Sequence, residues 1–351
     1  IFGTFVGYTS LNELQPIFID STKNLSPSQL ENKNNFQIDK FVNFKDESKI
    51  FEKRNQLIHF IWNSDKLPND YPSLVENNFS DPKFNDLENL KEIEKISITM
   101  KNGFNSYSYI FFPEQSNGKL ILYHQGHSGG FVNGKNTIQS FLNSGFSVAA
   151  FSMPLIGLNN QPTIQLENIG DVKFFKHNQL VLLETDNFSS MNYFFTPLNM
   201  TLNHIDKNYS FDEYNMVGIS GGGWVTTVYS AIDTRILKSF SVAGSLPFSL
   251  RTTIDDVGDY EQFNPQFYSI ANYFELYVMS SFGENREFIQ IFNKYDPCCF
   301  AGNISNIYHD SLNQYVSNLS SGNFDIIIDD TTFEHNISDF AIGLITEKFS
   351  N

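Results

Sequence analysis

The chain has 351 residues, 40% of them hydrophobic, and its 36 phenylalanines can fill the core of one large domain or two modest ones. Its formal net charge at pH 7 is −16, which argues against a surface that binds phosphate groups or anionic lipid, so nucleic acid is not an expected partner. No stretch approaches the run of about 18 apolar residues that a membrane span needs.

Residues 1–91 read as a polar, asparagine-rich and partly helical extension, which we expect to pack as a cap on the domain that follows. The sequence begins at Ile1 instead of a methionine, so its first residues, "IFGTFVGY", could be the tail of a removed signal or anchor. This interpretation favours an exported or membrane-anchored protein only weakly, because an ordinary buried first strand explains the same residues equally well.

From about residue 92 onward, short β-rich runs alternate with helical patterns, as in a mostly parallel sheet with helices on both faces. We predict eight strands, at residues 95–100, 106–112, 119–124, 146–151, 214–219, 239–244, 288–293 and 324–329. The first two flank "KNG", which predicts a hairpin, and the others are separated by segments long enough for crossover helices. Residues 92–351 are therefore predicted to form one α/β domain.

Two segments interrupt this alternation, at about residues 155–190 and 247–287. Segments of such length in a compact domain usually form lids, caps or binding loops. We therefore expect the two insertions to determine which substrate the protein accepts.

The segment "YNMVGISGGGWVTTVYSAID" leads from a buried strand through Gly218, Ser220 and Gly222 into a helix. A serine at so tight a corner has a strained backbone, and the chain on either side passes too close for side chains, which explains the glycines. The corner lifts the Ser220 hydroxyl above the sheet, toward the free N–H groups and the positive dipole end of the helix. Ser220 is therefore the predicted nucleophile, the alternative being a glycine-rich turn with an incidental serine.

A nucleophilic serine needs a general base, and the base needs an acid to orient it. The predicted base is His335, because it follows the last strand and so reaches the sheet edge at which Ser220 lies; the alternative is an exposed loop histidine. The predicted acid is Asp296, in a turn after the preceding strand. Three rival acids lie nearer to the histidine along the chain: Asp329, Asp330 and Glu334.

The loop "HQGHSGGF" after the third predicted strand is rich in glycine, so its backbone N–H groups can point at a developing negative oxygen. The predicted oxyanion donors are the amides of His127 and Gly221. The side chains of His124 and Gln125, on the same loop, are predicted to contact substrate. Alternatively, since only a backbone amide is needed for the oxyanion, the side chains of His124 and His127 merely support the loop. A metal site built from His124 and His127 lacks further nearby ligands, so no metal ion is expected.

The second insertion carries "DDVGDYEQFNPQFYSIANYFELY", in which acidic residues precede many aromatic ones. Asp259 and Glu261, with Asp255 and Asp256 before them, could bind a cationic or polyhydroxylated substrate, or a calcium ion. The alternative is a solvated helix cap in front of core aromatics. In the first insertion, "DVKFFKHNQLVL" could line the same cleft through His177.

The two cysteines, Cys298 and Cys299, are adjacent and cannot form a disulfide that closes a long loop. We expect two small buried thiols, with a bridge between neighbours as the alternative.

These residues together resemble the α/β-hydrolase superfamily over roughly residues 92–351. The resemblance rests on "GISGG" at the nucleophile, "HQGHSGG" as the oxyanion loop, "SGFSVAAFSMPLIG" as the fourth strand with its turn, and the chain order Ser220, Asp296, His335. Within the superfamily the chain is similar to the esterase and acyl-hydrolase branch, and "RNQLIHFIWNSDKLP" is similar to N-terminal extensions of bacterial acetyl-esterase-like members. Gln125 departs from the family pattern, which usually has histidine there.

The resemblance implies an α/β-hydrolase fold and a serine hydrolase that cleaves a carboxylic ester through an acyl-enzyme, without a cofactor. Its substrate would be a small-molecule or carbohydrate ester. The same triad suits a peptidase or amidase if the acidic stretch binds an amine terminus. A noncatalytic binding protein that has kept the fold is a third interpretation.

Overall fold

A computed structural model of the protein describes residues 36–251 and 256–350. The strands in these ranges are β1 (Leu74–Glu76), β2 (Leu90–Thr99), β3 (Asn105–Pro113), β4 (Lys119–His124), β5 (Ser147–Phe151), β6 (Thr163–Leu166), β7 (Gly170–Lys173), β8 (Glu213–Ile219), β9 (Ile236–Val242), β10 (Glu287–Asn293) and β11 (Asn323–Asp329). The α-helices are α1 (Glu47–Trp62), α2 (Lys135–Asn143), α3 (Asn192–Asn208), α4 (Gly221–Ile232), α5 (Tyr260–Phe263), α6 (Pro265–Ile270), α7 (Tyr273–Ser281), α8 (Asn306–Leu319) and α9 (Asp339–Ser350). Short 3-10 helices lie at Ile38–Lys40, Pro82–Phe84, Lys101–Gly103, Phe131–Gly134, His177–Leu183 and Phe248–Leu250.

Nine strands form one sheet in the order β1-β2-β3-β5-β4-β8-β9-β10-β11, and β6 pairs with β7 in a separate hairpin. The strands from β5 to β11 in this order are parallel, whereas β1, β2 and β3 are added antiparallel at one edge. The parallel strands end nearly level, since His124 lies opposite Gly218 and Asn293 lies opposite Asp329. The loops that leave these ends therefore meet at one edge of the sheet, where open α/β sheets bind their ligands.

The central strands are apolar on both faces because helices cover both. In β4, Leu120 and Leu122 enter one core, while Ile121 and Tyr123 enter the other. Helices α1, α3, α4, α7 and α8 pack on the first face, and α2 and α9 pack on the second. Continuous apolar strands of this kind are typical of a parallel sheet buried between two helical layers.

All eight predicted strands are present, and the hairpin around "KNG" joins β2 to β3. The sixth predicted strand lies earlier than expected, at Ile236–Val242 instead of 239–244, because Ala243 has a φ of 43°, outside the extended region. The main sheet has nine strands instead of eight, because the three-residue β1 pairs with β2 at its edge. So short a strand has no periodic pattern that a sequence could reveal.

Part of the predicted N-terminal extension packs on the sheet domain. Helix α1 buries Ile50, Leu57 and Ile61 in the first core. Strand β1 also precedes residue 91, yet it belongs to the main sheet. The division of the chain at residue 91 stays a prediction, and "IFGTFVGY" lies outside the described residues.

Both predicted insertions have secondary structure of their own. Residues 155–190 contain the β6–β7 hairpin and the 3-10 helix His177–Leu183, and residues 247–287 contain α5, α6 and α7. Asp255, one of the predicted acidic residues, lies outside the described residues. Of the helices in the described part of the chain, none is both long and apolar enough to span a lipid bilayer.

Candidate active site

Ser220 lies at the junction of β8 and α4, where the chain changes from strand to helix within one residue. Its backbone has φ 57° and ψ −127°, a conformation that costs a non-glycine residue roughly 1–3 kcal/mol. Its N–H donates to the carbonyl of Val242 on the neighbouring strand at 2.9 Å, which fixes the corner to the sheet. Every residue of α4 is buried, so the helix that follows the serine is held firmly behind it.

Two glycines allow the chain to pass close to itself at this corner. A Cβ on Gly218 would lie 2.1 Å from the carbonyl oxygen of Gly222. A Cβ on Gly222 would lie 2.0 Å from the carbonyl oxygen of His124, at the end of β4. Both contacts are with buried backbone, so the glycines of "GISGGGW" have a steric cause in the packing of the corner against β4.

Asp296 and His335 lie beside each other, although they come from loops after different strands. Nδ1 of His335 lies 2.7 Å from Oδ2 of Asp296, whose side chain is fully buried. The other carboxylate oxygen, Oδ1, accepts hydrogen bonds from the backbone amides of Cys298 and Cys299 at 2.8 and 3.1 Å. The carboxylate is therefore held on one side by two amides and orients the imidazole on the other.

The second ring nitrogen of His335, Nε2, is buried and has no hydrogen-bond partner among the described residues. Consequently, no hydrogen bond joins it to Ser220 in this structure, and contact between the hydroxyl and the imidazole remains a prediction. The carboxylate orients the imidazole through Nδ1, and Nε2 has no other partner among the described residues. A general base needs such a nitrogen to exchange a proton with a nucleophile.

The rival acids have other partners or lie in solvent. Asp329 accepts hydrogen bonds from Thr331 through Oδ1 and from the Ser338 hydroxyl through Oδ2, so its carboxylate braces the loop that carries the histidine. Asp330 and Glu334 are exposed. Of the four candidate carboxylates, the structure brings Asp296 to the imidazole.

Cys298 and Cys299 form a disulfide with an S–S distance of 2.08 Å, so the expectation of two buried thiols is wrong. Cys298 is exposed and Cys299 is half-buried. Both residues line a cavity, while their backbone amides donate to Asp296.

Ser220 opens onto a cavity of about 310 Å³ at the carboxyl edge of the sheet. The residues that line it are His127, Ser220, Ala243, Gly258, Asp259, Gln262, Cys298, Cys299 and Phe300. A ring nitrogen of His335 lies within 4.8 Å of the sulfur atoms of the disulfide, so the imidazole lies near the same wall. The cavity is small and partly polar. Its lining residues come from the second insertion and from the loops that follow the parallel strands.

The two predicted oxyanion donors flank the serine. Gly221 is the first residue of α4, so its N–H has no carbonyl partner within the helix. A Cβ on Gly221 would lie 2.4 Å from Cε1 of His127, which shows how closely the loop after β4 approaches the start of α4. The loop and the helix end thus face each other beside Ser220.

His124 and Gln125, predicted to contact substrate, are both buried and are not among the residues that line the cavity. Nδ1 of His124 lies 2.9 Å from the carbonyl oxygen of Gln125, and burial lowers the pKa of His124 to about 4. The Gln125 side chain accepts a hydrogen bond from the hydroxyl of Tyr123. β4 is buried up to its last residue, His124, and Gln125 directly after it is buried as well.

Asp259 and Glu261, the other predicted substrate-binding residues, differ in position. Asp259 lines the cavity with a side chain that is 40% exposed, whereas Glu261 is completely buried. Burial raises the pKa of Glu261, but His177 and His127 beside it outweigh burial and hold that pKa well below its usual range. Burial lowers the pKa of His177, but the carboxylate of Glu261 outweighs it and raises that pKa.

No protein-family model matches the chain, and no curated protein is significantly similar to it in sequence. Several solved structures, however, are similar to this chain in fold. Acetyl xylan esterase 1 from Thermoanaerobacterium sp. JW/SL YS485 superposes with a TM-score of 0.58 at 15% identity, over 93% of this chain and 99% of the esterase. An acetyl xylan esterase from Paenibacillus sp. R4 gives a TM-score of 0.60 at 13% identity, with the same coverage of both chains.

An S-formylglutathione hydrolase from Agrobacterium tumefaciens is also similar, with a TM-score of 0.52 at 12% identity over 78% of this chain and 98% of the hydrolase. At identities this low, structural similarity by itself shows the fold alone. The chain has the α/β-hydrolase fold, which confirms the fold class predicted from its serine corner and its alternating strands and helices.

Proposed function

We propose that the protein is a serine hydrolase that cleaves a small carboxylic ester through an acyl-enzyme intermediate. The observation that carries the proposal is the hydrogen bond between Asp296 and His335, behind the disulfide that lines the cavity onto which Ser220 opens. A buried carboxylate that orients an imidazole supports this proposal, because such a pair activates a serine hydroxyl for attack on a carbonyl when the serine lies within its reach.

In the first half of the reaction, the Oγ atom of Ser220 attacks the ester carbonyl while Nε2 of His335 takes the hydroxyl proton. Asp296 stabilises the imidazolium that forms. The amides of His127 and Gly221 hold the negative oxygen of the tetrahedral intermediate, each contributing about 3 kcal/mol. The intermediate then expels the alcohol, which receives the proton from His335 as it leaves.

In the second half, water replaces the alcohol. His335 removes a proton from the water, the resulting hydroxide attacks the acyl carbon, and the same amides hold the second tetrahedral intermediate. When this intermediate breaks down, the acid is released and Ser220 regains its proton from the imidazolium. No cofactor takes part in either half of this proposed reaction.

A short acyl group on a polyhydroxylated or other small alcohol is the proposed substrate class. A cavity of about 310 Å³ is at the lower end of the range for small-molecule sites, which favours a small acyl group such as acetyl. Polar side chains on the wall, Asp259 and Gln262, suit hydroxyl groups on the alcohol portion. Two of the structurally similar proteins are named acetyl xylan esterases, which supports the same class.

A peptidase or amidase that uses the same triad has less support. It needs a negative site for an amine terminus, and the acidic stretch was the predicted source of that site. Glu261 is buried and contacts two histidines, so it does not line the cavity. Among the described residues of the second insertion, Asp259 is then the one carboxylate at the cavity.

The test is turnover of p-nitrophenyl acetate by the wild-type chain and by Ser220→Ala. We expect the variant to lose about 10⁴-fold or more in kcat while its Tm stays within a few degrees of the wild type. The control is Ser317→Ala, an exposed serine on α8, which should keep full activity.

A fluorophosphonate probe supplies a second measurement that does not depend on a variant. Mass spectrometry should find the probe on Ser220 of the wild-type chain. Faster turnover of aminoacyl p-nitroanilides than of esters would favour the amidase. If Ser220 does not react with the probe and no ester is turned over, the remaining interpretation would be a noncatalytic binding protein.

A further inference from the structure

Four side chains from three separate segments meet beside the cavity. His127 follows β4, His177 lies in the first insertion, and Asp259 and Glu261 lie in the second. Nε2 of His127 lies 2.9 Å from Oε1 of Glu261, 3.0 Å from Nδ1 of His177 and 3.3 Å from Oδ2 of Asp259. One ligand atom from each of the four lies within 4.8 Å of the others, so the four form one compact cluster of possible ligands.

The spacing of these atoms matches a tetrahedral metal centre. Zn²⁺ binds histidine nitrogen and carboxylate oxygen at about 2.0–2.2 Å, and the edges of such a tetrahedron are then about 3.3–3.6 Å long. Four distances in the group are at or slightly below this edge length. They are the three distances from Nε2 of His127 and the 3.0 Å between Nδ1 of His177 and Oε1 of Glu261. The other two distances, from Asp259 to His177 and to Glu261, are within 4.8 Å. Binding of a small ion at the centre would therefore require small movements of side chains that are already in contact, with Asp259, the most exposed of the four, free to move most.

The hydrogen bonding of His177 has the pattern of a metal ligand. Its other nitrogen, Nε2, lies 2.8 Å from the carbonyl oxygen of Pro154, which can only accept a hydrogen. In the neutral ring the proton therefore lies on Nε2, and the lone pair of Nδ1 points at the place where the other ligand atoms converge. Metal-binding histidines are usually oriented through such a bond from their second nitrogen.

Glu261 supplies an independent observation. Its side chain is fully buried, and its second oxygen, Oε2, has no hydrogen-bond partner among the described residues. A buried carboxylate oxygen without a partner costs free energy that a bound cation would recover. Two carboxylates and two neutral imidazoles around one dication also give a group with no net charge, which is the favourable state for a largely buried site.

We propose that His127, His177, Asp259 and Glu261 bind one divalent transition-metal ion, with Zn²⁺ as the ion that best suits two nitrogen and two oxygen ligands. Calcium fits this donor set less well because it prefers six to eight oxygen ligands. The proposal does not depend on the hydrolase reaction, since none of the four side chains takes part in the proton transfers assigned to Ser220 and His335.

The ion would connect three segments that the sheet alone does not join. It ties both insertions to the loop after β4, whose His127 amide is the proposed oxyanion donor, and it lies at the wall of the substrate cavity. The ion is thereby a cross-link that positions this loop and the two insertions. Binding of an ion to the folded chain alone also stabilises that chain.

The first test measures zinc on the full chain, purified without a polyhistidine tag and dialysed against EDTA and then against buffer. We expect one Zn²⁺ per chain by elemental analysis after addition of zinc chloride and removal of the excess. The Tm of the wild type should rise by roughly 2–6 °C on zinc binding. Co²⁺ should give the visible absorption typical of a tetrahedral site.

Variants then assign the ligands. Glu261→Gln and His177→Ala should each weaken zinc binding by at least about 100-fold, and His309→Asn should not, because His309 pairs with Asp325 at another place on the surface. Ser220→Ala should bind zinc as the wild type does. The proposed metal site and the proposed esterase activity are therefore tested independently of each other.

Wild-type chain that takes up no zinc or cobalt and shows no change in Tm would overturn the proposal and leave the four side chains as a hydrogen-bonded network. Equal zinc binding by Glu261→Gln and the wild type would also overturn it, since the ion would then lie elsewhere. Because the wild-type measurements need no substitution, a variant that fails to fold cannot obscure the outcome.

Discussion

The carboxylate of Asp296 lies between His335 and the disulfide turn, with Oδ2 at 2.7 Å from Nδ1 of the imidazole and Oδ1 bound by the amides of Cys298 and Cys299. The two oxygens therefore have different roles, since the backbone holds Oδ1 while Oδ2 is directed at the ring. The proposed acid of the triad is thus oriented before any substrate arrives.

Asp296→Asn should lower kcat for p-nitrophenyl acetate by about 10⁴-fold. The amide oxygen of asparagine can still accept the two backbone hydrogen bonds, so its NH₂ group must face the ring. Nδ1 of His335 then becomes the acceptor, the ring proton moves to Nε2, and the base can no longer take the serine proton. Steady-state kinetics and a Tm within a few degrees of wild type would together establish this result.

The matched control is Asp330→Asn, a change of the same kind at an exposed position just after the last strand. It should keep the wild-type rate. Should Asp329→Asn instead reduce kcat by orders of magnitude without a loss of Tm, the acid would be wrongly assigned, because the hydrogen bonds of Asp329 to Thr331 and Ser338 give it only a bracing role.

The strand pattern and the serine corner could be predicted because they depend on local sequence. Buried parallel strands are continuous apolar runs, and the glycines around Ser220 are required by contacts within a few residues of the corner or with the end of one neighbouring strand. The positions of Asp296 and His335 followed from chain order, since loops after parallel strands meet at one edge.

The remaining features of the site could not be predicted, because they depend on how the long insertions fold back onto the sheet domain. Glu261 and His177 belong to different insertions, and no periodicity in either segment indicates that they meet His127. The sequence likewise does not say that His124, the last residue of β4, and Gln125 after it are buried away from the cavity. The disulfide was the alternative and not the favoured expectation, because adjacent cysteines pair only when the local turn brings their sulfur atoms together.

The Cys298–Cys299 bridge is predicted to contribute to the reaction rate through Asp296. The bridge restrains the turn whose two amides bind Oδ1, so its removal should let the carboxylate and the imidazole drift from their productive positions. Changing both cysteines to serine should reduce kcat about 10-fold or more, because small misplacements of catalytic groups are costly. The rate on p-nitrophenyl acetate is the measurement.

Reduction of the wild-type chain is the accompanying control. Its intact mass should increase by two hydrogen atoms when the bridge opens, and its rate should fall to that of the double variant. A double variant with the full wild-type rate would contradict the prediction and make the bridge irrelevant to catalysis.

Gln262 is predicted to recognise a hydroxyl group of the substrate. It lines the cavity although the residue is only 5% exposed, and its Oε1 has no hydrogen-bond partner among the described residues. A buried carbonyl oxygen at a cavity wall gains most from a donor that the ligand brings. Gln262→Leu should therefore lower kcat/KM for an acetylated sugar by about 10–100-fold.

The same variant should change kcat/KM for p-nitrophenyl acetate by less than about 3-fold, because that substrate has no hydroxyl to donate. The ratio between the two substrates is what distinguishes recognition from general damage. An equal loss on both substrates would show that Gln262 supports the cavity wall instead of binding the alcohol.

Arg54 is predicted to couple the N-terminal segment to the helix behind the nucleophile. It is almost completely buried, and its Nε donates at 2.9 Å to the carbonyl of Ala231, in the last turn of α4. Burial lowers the pKa of Arg54 to about 10, which leaves the guanidinium charged at pH 7. A cation at the C-terminal end of a helix is stabilising, and the carbonyl that it binds has no helical partner.

Arg54→Ala should lower the free energy of unfolding by about 2–4 kcal/mol, because it removes buried side-chain volume and leaves a buried carbonyl without its donor. Denaturant unfolding measures this directly. The control is Lys49→Ala, since Lys49 lies on the same helix and its ion pair with Glu52 is exposed to solvent, where such pairs contribute little to stability. The kcat of the folded variant should stay within a few-fold of wild type, because α4 is also held by its fully buried contacts with the sheet. Equal stability of the two variants would contradict the prediction and mean that Arg54 does not couple α1 to α4.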